Sequence, residues 1–227
     1  MKRISRRIKS CGNPTLASLM LGTGIVLFAV VTLAVPQEVG RRLIADDGLV
    51  QLATFVVLST AVLLAVGGAI RDPNERTLLG LTACLLVLYA LREADMHRAS
   101  WVPEHFSSLK FYLSSDVPLA QKLVCGSFLL SIAVVCVAVL RRAVPRIAPA
   151  FRAREPWMMF ALAWACVFTA SQVSDQSSWN VVFAGQAFEE IAEFMASGFV
   201  VLTLIRYPIG TERTTEVPAG DQYARIG

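Results

Sequence analysis

The chain has 227 residues, of which 55% are hydrophobic and 17% are charged, and its formal net charge is +4. A soluble domain of this length would not carry repeated apolar runs of about 20 residues, the length that a helix needs to cross a hydrocarbon core of roughly 30 Å. The composition therefore excludes an ordinary soluble enzyme and predicts a membrane protein.

Six apolar runs predict six transmembrane helices in a single all-α bundle. In chain order they cover residues 15–35, 48–70, 77 to about 93, 119–140, 157 to about 174, and 185–205. Prolines and charges concentrate in the connecting segments, where we place Pro145 and Pro149. We expect a basic cytoplasmic N-terminus at residues 1–14, a transmembrane domain at 15–205 and a polar, disordered cytoplasmic tail at 206–227. The first apolar run is expected to be a retained helix and not a cleaved signal peptide.

The orientation of the bundle follows from the distribution of lysine and arginine. With the N-terminus in the cytoplasm, 15 of the 21 basic residues lie in cytoplasmic segments and 6 on the opposite side. We therefore predict a multi-pass inner-membrane protein with both termini cytoplasmic. The basic inner face is expected to favour anionic lipid headgroups, and it gives no reason to expect a nucleic-acid partner.

The third connection, residues 94–118, interleaves aromatic and charged residues such as Trp101, His105 and Phe111. Aromatic and long basic side chains suit the headgroup level of a membrane, so we expect an amphipathic segment on the outer surface. Ser115 or Asp116 is expected to cap the fourth span, with Pro118 in its first turn. The segment is either a lid over a site between helices or an inert interfacial loop.

Acidic residues show the opposite bias to basic ones, and several of them lie inside apolar runs. Both histidines, His97 and His105, share the predicted outer side with 11 of the 17 acids: Glu38, Asp46, Asp47, Glu93, Asp95, Glu104, Asp116, Asp175, Glu189, Glu190 and Glu193. Ionisable groups at membrane depth are rare and usually mark a pathway, a ligand site or a catalytic site. This acidic cluster is the strongest indication of function in the sequence.

The first group within the cluster lies at the outer end of the third span. Glu93 and His97 are four residues apart, so on a continuous helix they would share a face. A carboxylate and an imidazole placed in this way can bind one divalent metal or act as an acid–base pair. The alternative is a charged helix end at which Glu93 pairs with His97 or with an arginine.

The second group lies in the sixth span, where Gln186, Glu190, Glu193 and Ser197 form a polar stripe. Glu193 lies about 12 Å into this helix at 1.5 Å per residue, so its carboxyl group must be protonated, paired or bound to a cation. Together with Glu189 and Glu190, it places three carboxylates within five positions. The alternative is a buried Glu–Arg or Glu–Gln pair that fixes helix packing.

A third group, weaker by itself, lies at the outer end of the fifth span. Gln172, Asp175 and Gln176 share a face there and could orient bound ligands or water. A polar helix end at the membrane interface is an equally expected explanation.

Together these groups predict a metal-dependent hydrolase that acts on a lipid or small-molecule envelope substrate at the outer leaflet. Glu93, His97, Glu189 and Glu193 would bind a divalent metal such as Zn²⁺, and Glu190, Asp95 and His105 would be the catalytic residues. Two histidines and no CxxC pair exclude a multi-histidine di-iron hydroxylase and a thiol redox centre. The alternatives are a cation- or proton-coupled transporter or channel subunit that uses Glu193, and a non-catalytic scaffold or accessory subunit. The sequence leaves the oligomeric state open.

Overall fold

The computed structural model describes residues 13–45, 48–93 and 108–209, and all regular secondary structure in these ranges is helical. Residues 1–12 of the predicted basic N-terminus, Asp46 and Asp47, residues 94–107 and nearly all of the predicted tail lie outside the described residues. The elements are α1 (Asn13–Ala29), continued by a π-helical turn (Val30–Ala34), α2 (Gln37–Ile44), α3 (Leu49–Arg71), α4 (Arg76–Glu93), α5 (Leu109–Leu113), α6 (Leu119–Arg152), α7 (Pro156–Asp175), a 3₁₀ turn (Ser178–Val181) and α8 (Phe183–Arg206).

Four helical stretches of the described chain are long and apolar enough to cross a membrane: Thr15–Ala34, Gln37–Arg71, Leu119–Arg152 and Pro156–Asp175. They contain most or all of the predicted first, second, fourth and fifth spans, and the stretches over the second and fourth extend well beyond the predicted bounds. Helices α4 and α8 coincide with the third and sixth, but α4 carries three charged residues and α8 carries four. The all-α fold is confirmed, with four stretches long and apolar enough to cross a membrane, and the six-span arrangement remains a prediction.

Helix α8 lies at the centre of the bundle and packs against α7, α3 and α1. Its residues Ile191, Met195 and Phe199 are buried against α1 and α7, and Leu204 joins the core between α3 and α4. Small residues permit close approach of helices in a membrane protein. At Gly198, a Cβ atom would lie 2.7 Å from the Met20 side chain of α1, so this helix pair requires glycine there unless Met20 moves.

Two opposite ends of the bundle differ in charge, and we name them by their residues. The acidic end contains Arg92 at the end of α4, Asp175 at the end of α7, and Glu189, Glu190 and Glu193 in α8. The basic end contains Arg71, Arg76, Arg146 and Arg206, from α3, α4, α6 and α8.

A buried ion pair holds three elements together at the basic end. Glu75, in the turn between α3 and α4, is 8% exposed and lies 3.0 Å from Arg146 of α6. The Tyr207 hydroxyl, directly after α8, donates at 3.0 Å to the same oxygen of Glu75, Oε2, and its ring contacts Trp157 of α7. This network attaches α6 to the rest of the bundle.

Helix α6 differs most from the sequence prediction. The fourth span was predicted to end at residue 140, but α6 continues to Arg152 through Pro145 and Pro149. Placing these prolines in a connection was therefore wrong. Each proline removes one backbone donor, but helices of membrane proteins tolerate this where side chains serve the freed carbonyl groups. In this stretch the guanidinium of Arg146 donates to the carbonyl of Arg142, next to the carbonyl of Arg141 that Pro145 leaves without a helical donor.

Two shorter features also differ from expectation. Pro118 itself is the N-cap residue of α6 and has no side-chain cap, so the predicted capping by Ser115 or Asp116 was wrong. The Ser114 hydroxyl instead accepts from the backbone of Asp116 within the preceding turn. Helix α2 was not predicted, because eight residues are too few to show a helical period.

Candidate functional site at the acidic end

The candidate site lies where α4 and α7 end beside the N-terminal half of α8. Helices α7 and α8 run antiparallel and are joined by residues 176–182, so the last turns of α7 face the first turns of α8. Helix α4 approaches the same turns with its C-terminal end. The distant helix α4 and the consecutive helices α7 and α8 therefore bring polar side chains to one place.

Glu193 is the best-defined member of this site. It is 4% exposed, and its Oε1 atom accepts three hydrogen bonds from two other helices. Arg92 Nη2 of α4 donates at 2.9 Å, Gln172 Nε2 of α7 at 3.0 Å, and Ser171 Oγ of α7 at 3.2 Å. Hydrogen bonds to an ionised carboxylate are among the stronger ones in proteins, so these contacts fix α4 and α7 to α8.

Arg92 connects the ion pair to the surface and to an aromatic layer. Its side chain is 40% exposed, and its guanidinium carbon lies 5.9 Å from the centre of the Tyr89 ring. Tyr89 packs edge-on against Phe168 at 5.6 Å, and Phe168 stacks on Trp164 at 5.8 Å. The polar site therefore lies on an aromatic layer that leads into the apolar part of the bundle.

These contacts change the interpretation of Glu193. From its depth in the helix, Glu193 was expected to be protonated, paired or bound to a cation, and in the structure Arg92, Gln172 and Ser171 donate to its Oε1 atom. The alternative of a buried Glu–Arg and Glu–Gln pair therefore describes the contacts of Glu193 that the structure shows. A role for Glu193 as a metal ligand stays a prediction.

The other predicted ligands on α8 lie closer to the helix start. Glu189 and Glu190 are both half-buried, and each has an interaction partner. Within residues 13–45, 48–93 and 108–209, no group of three or more histidine, cysteine, aspartate and glutamate side chains is arranged to hold a metal.

The predicted residues of the α4–α5 connection stay predictions. Glu93 is the last residue of α4, and its side chain is not described. Asp95, His97 and His105 lie outside the described residues. The structure thus brings the α4 end to the acidic turns of α8, while the proposed contribution of the histidines is untested.

Sequence reasoning found two of the three partners of Glu193 only in part. An arginine was expected to pair with Glu93, whereas Arg92 pairs with Glu193, 101 positions away in the chain. Gln172 was expected to orient bound ligands or water. Ser171 was missed. Its signal was the pair Ser171 and Ser174, three residues apart on the buried face of α7. Among the described residues, the Ser174 hydroxyl is buried without a hydrogen-bond partner.

The arrangement combines a fixed buried carboxylate, a partly exposed guanidinium and two half-buried carboxylates within about two turns of α8. Such a group can bind a cation through Glu189 and Glu190, or can present Arg92 to an anionic group at the surface. Comparison with protein-family models, with curated proteins and with solved structures gave no match.

Proposed function

We propose that this chain is a six-span inner-membrane protein whose acidic end binds a divalent metal and hydrolyses a lipid or envelope substrate. The observation that carries the proposal is the 2.9 Å contact between Arg92 and Glu193. It ties the end of α4 to the acidic turns of α8. Asp95 and His97 follow Arg92 by only three and five residues, within about 11 and 18 Å for even a fully extended chain.

The proposed topology rests on charge and on packing. Helices α4 and α8 lie among the four apolar spans, α4 packing on α3 and α8 on α3 and α7. Arg92 of α4 pairs with Glu193 of α8, and this pairing lowers the cost of burying the carboxylate of Glu193 in a bundle. The lysine and arginine bias then places the acidic end on the outer side.

The proposed metal site is a refinement of the one expected from sequence. Glu189, Glu93 and His97 remain the proposed ligands, because carboxylate oxygen and imidazole nitrogen are a donor set that suits Zn²⁺, Mn²⁺ or Fe²⁺. Glu193 becomes a positioning residue, since its Oε1 atom already accepts three hydrogen bonds. By holding α4 and α7, it would keep the ligands of two helices in register.

The proposed chemistry divides between the metal and the side chains. A bound metal would supply Lewis-acid activation of a water molecule. Glu190, Asp95 and His105 would move protons to and from the reacting groups. A substrate anchored in the membrane would reach these residues from the lipid surface, which favours a lipid or envelope molecule.

Elemental analysis of the purified protein, combined with a hydrolysis assay on lipid and envelope substrates, tests the proposal. We expect about one divalent metal per chain, lost in Glu189→Gln and in His97→Ala together with hydrolysis. Asp175→Asn is the matched control, because Asp175 is an exposed acid at the same end of the bundle. Retention of the metal in both ligand variants would contradict the proposal.

One observation favours a second candidate, a non-catalytic scaffold or accessory subunit. The hydrogen bonds of Glu193 Oε1 are complete without a cation, as expected for a residue that only fixes helix packing. A scaffold would contain no stoichiometric metal, and substitutions at Arg92 or Glu193 would change only its stability. The same elemental analysis therefore separates the two functions.

A further inference from the structure

An apolar groove runs along the outside of the α3–α4 hairpin, away from the acidic end. Its volume is about 630 Å³, within the range of 300–1,000 Å³ that is usual for small-molecule sites. Ala69 and Ala83 are buried at its floor, and Val66 and Val87 are exposed beside it. Its α4 wall extends from Arg76 to Leu88, about 18 Å by helical rise.

The shape of the groove follows from residue size. Because Gly80 and Ala83 are small, the surface of α4 is recessed at these positions. A Cβ atom added at Gly80 would have no neighbouring side chain within 4 Å. Bulky apolar residues of α3, such as Val62 and Ile70, form the opposite wall. The groove therefore has an elongated shape that suits an extended apolar chain.

One end of the groove is cationic. Arg76 lines it and is exposed, and Arg71 is exposed at the same end of the hairpin. The acids of the intervening turn point to other partners: Glu75 pairs with Arg146, and Asp72 accepts from the backbone of Asn74. A ligand with an acyl chain in the groove would therefore place its headgroup beside Arg76.

We propose that this groove binds one anionic phospholipid, with an acyl chain between α3 and α4 and its phosphate group at Arg76. Charge complementarity selects this occupant, because an apolar chain alone would not need the arginine. A basic residue near the membrane surface contributes attraction to anionic lipid that corresponds to about a fivefold change in affinity. The site is independent of the acidic end and of the hydrolase proposal.

Native mass spectrometry of the full chain, released from detergent after titration with phosphatidylglycerol or phosphatidylcholine, tests this site. We expect one retained phosphatidylglycerol, about fivefold weaker binding in Arg76→Gln, and loss of binding in Gly80→Leu, which fills the groove. Arg71→Gln and Gly67→Leu are the matched controls. Arg71 does not line the groove, and Gly67 has open space around its Cβ position but lies outside the lining. Equal binding in variants and controls, or equal retention of phosphatidylcholine, would overturn the proposal.

A second measurement uses the unaltered groove and so does not depend on the folding of any groove variant. Cys84 lines the groove and is exposed, whereas Cys166 is exposed on α7 and is not part of it. At a phosphatidylglycerol concentration about ten times the dissociation constant, alkylation of Cys84 by N-ethylmaleimide should slow about tenfold, while Cys166 keeps its rate. A lipid effect of the same size on both thiols would also overturn the proposal.

Discussion

Removing either partner of the Arg92–Glu193 pair should destabilise the bundle unequally. Arg92→Leu leaves the carboxylate of Glu193, which is 4% exposed, with only the neutral donors Gln172 and Ser171. Breaking a buried pair in this way costs about 3–5 kcal/mol, and the two remaining donors place the expected loss near the lower value, about 3 kcal/mol. Glu193→Leu leaves Arg92, whose side chain is 40% exposed and can be hydrated, so the expected loss is about 1–2 kcal/mol.

The double variant Arg92→Leu with Glu193→Leu separates the interaction energy between these two residues from the effects of their other contacts. Replacing both charges by apolar groups of similar size leaves no uncompensated ion, so its loss should be only about 1 kcal/mol. The coupling energy between the two positions is then about 3–4 kcal/mol, at or just above the upper end of what contacting residues show.

The measurement is the free energy of unfolding in mixed micelles titrated with SDS, followed by tryptophan fluorescence. Arg42→Leu is the matched control, since Arg42 is an exposed arginine of α2, and its effect should stay within about 0.5 kcal/mol. Equal losses in the two single variants, or losses that simply add in the double variant, would refute the reasoning.

Two matched pairs of variants test contacts outside the Arg92–Glu193 site, by the same unfolding titration. Tyr207→Phe removes the hydrogen bond to Glu75 and should cost about 1–2 kcal/mol, whereas Tyr112→Phe removes a buried hydroxyl without a partner among the described residues and should cost nothing. A larger loss in Tyr112→Phe would contradict this account of the two hydroxyls. Gly48→Ala should cost at least about 2 kcal/mol, because its Cβ would lie 2.5 Å from the carbonyl oxygen of Leu43, while Gly67→Ala in open space should gain up to about 1 kcal/mol. Similar effects at the two glycines would show that the predicted backbone clash is absent.

The six long helices could be predicted from sequence to within a few residues, apart from the end of the fourth, whereas the short helix α2 was not predicted. Apolar length is a strong signal, and it placed α3 at 48–70 where the structure has Leu49–Arg71. The signal fails where local rules compete with packing. Pro145 and Pro149 indicate a break by their chemistry, yet α6 continues through them and is attached to Glu75 by Arg146.

For the candidate site, the sequence predicted that the buried carboxylate of Glu193 needs a partner, but it did not predict which residues supply the hydrogen bonds. The depth of Glu193 in an apolar helix showed that it needs a partner, and a Glu–Arg or Glu–Gln pair was one of the expected answers. The choice of Arg92 and Gln172 depends on how α4 and α7 are rotated relative to α8. Helix α7 packs directly on α8, whereas α4 packs on α3, which in turn packs on α8. The rotation of one helix against another cannot be predicted from a single sequence.

The most direct test of the proposed metal site is calorimetric titration of Zn²⁺ into metal-free protein, for the wild type, Glu189→Gln and Glu193→Gln. The account predicts one site per chain in the wild type and a loss of affinity of about 10–100-fold in Glu193→Gln, the usual effect of removing a positioning residue. Glu189→Gln should lose more, because it removes a ligand. Absence of stoichiometric binding to the wild type, or equal affinity in all three proteins, would contradict the account.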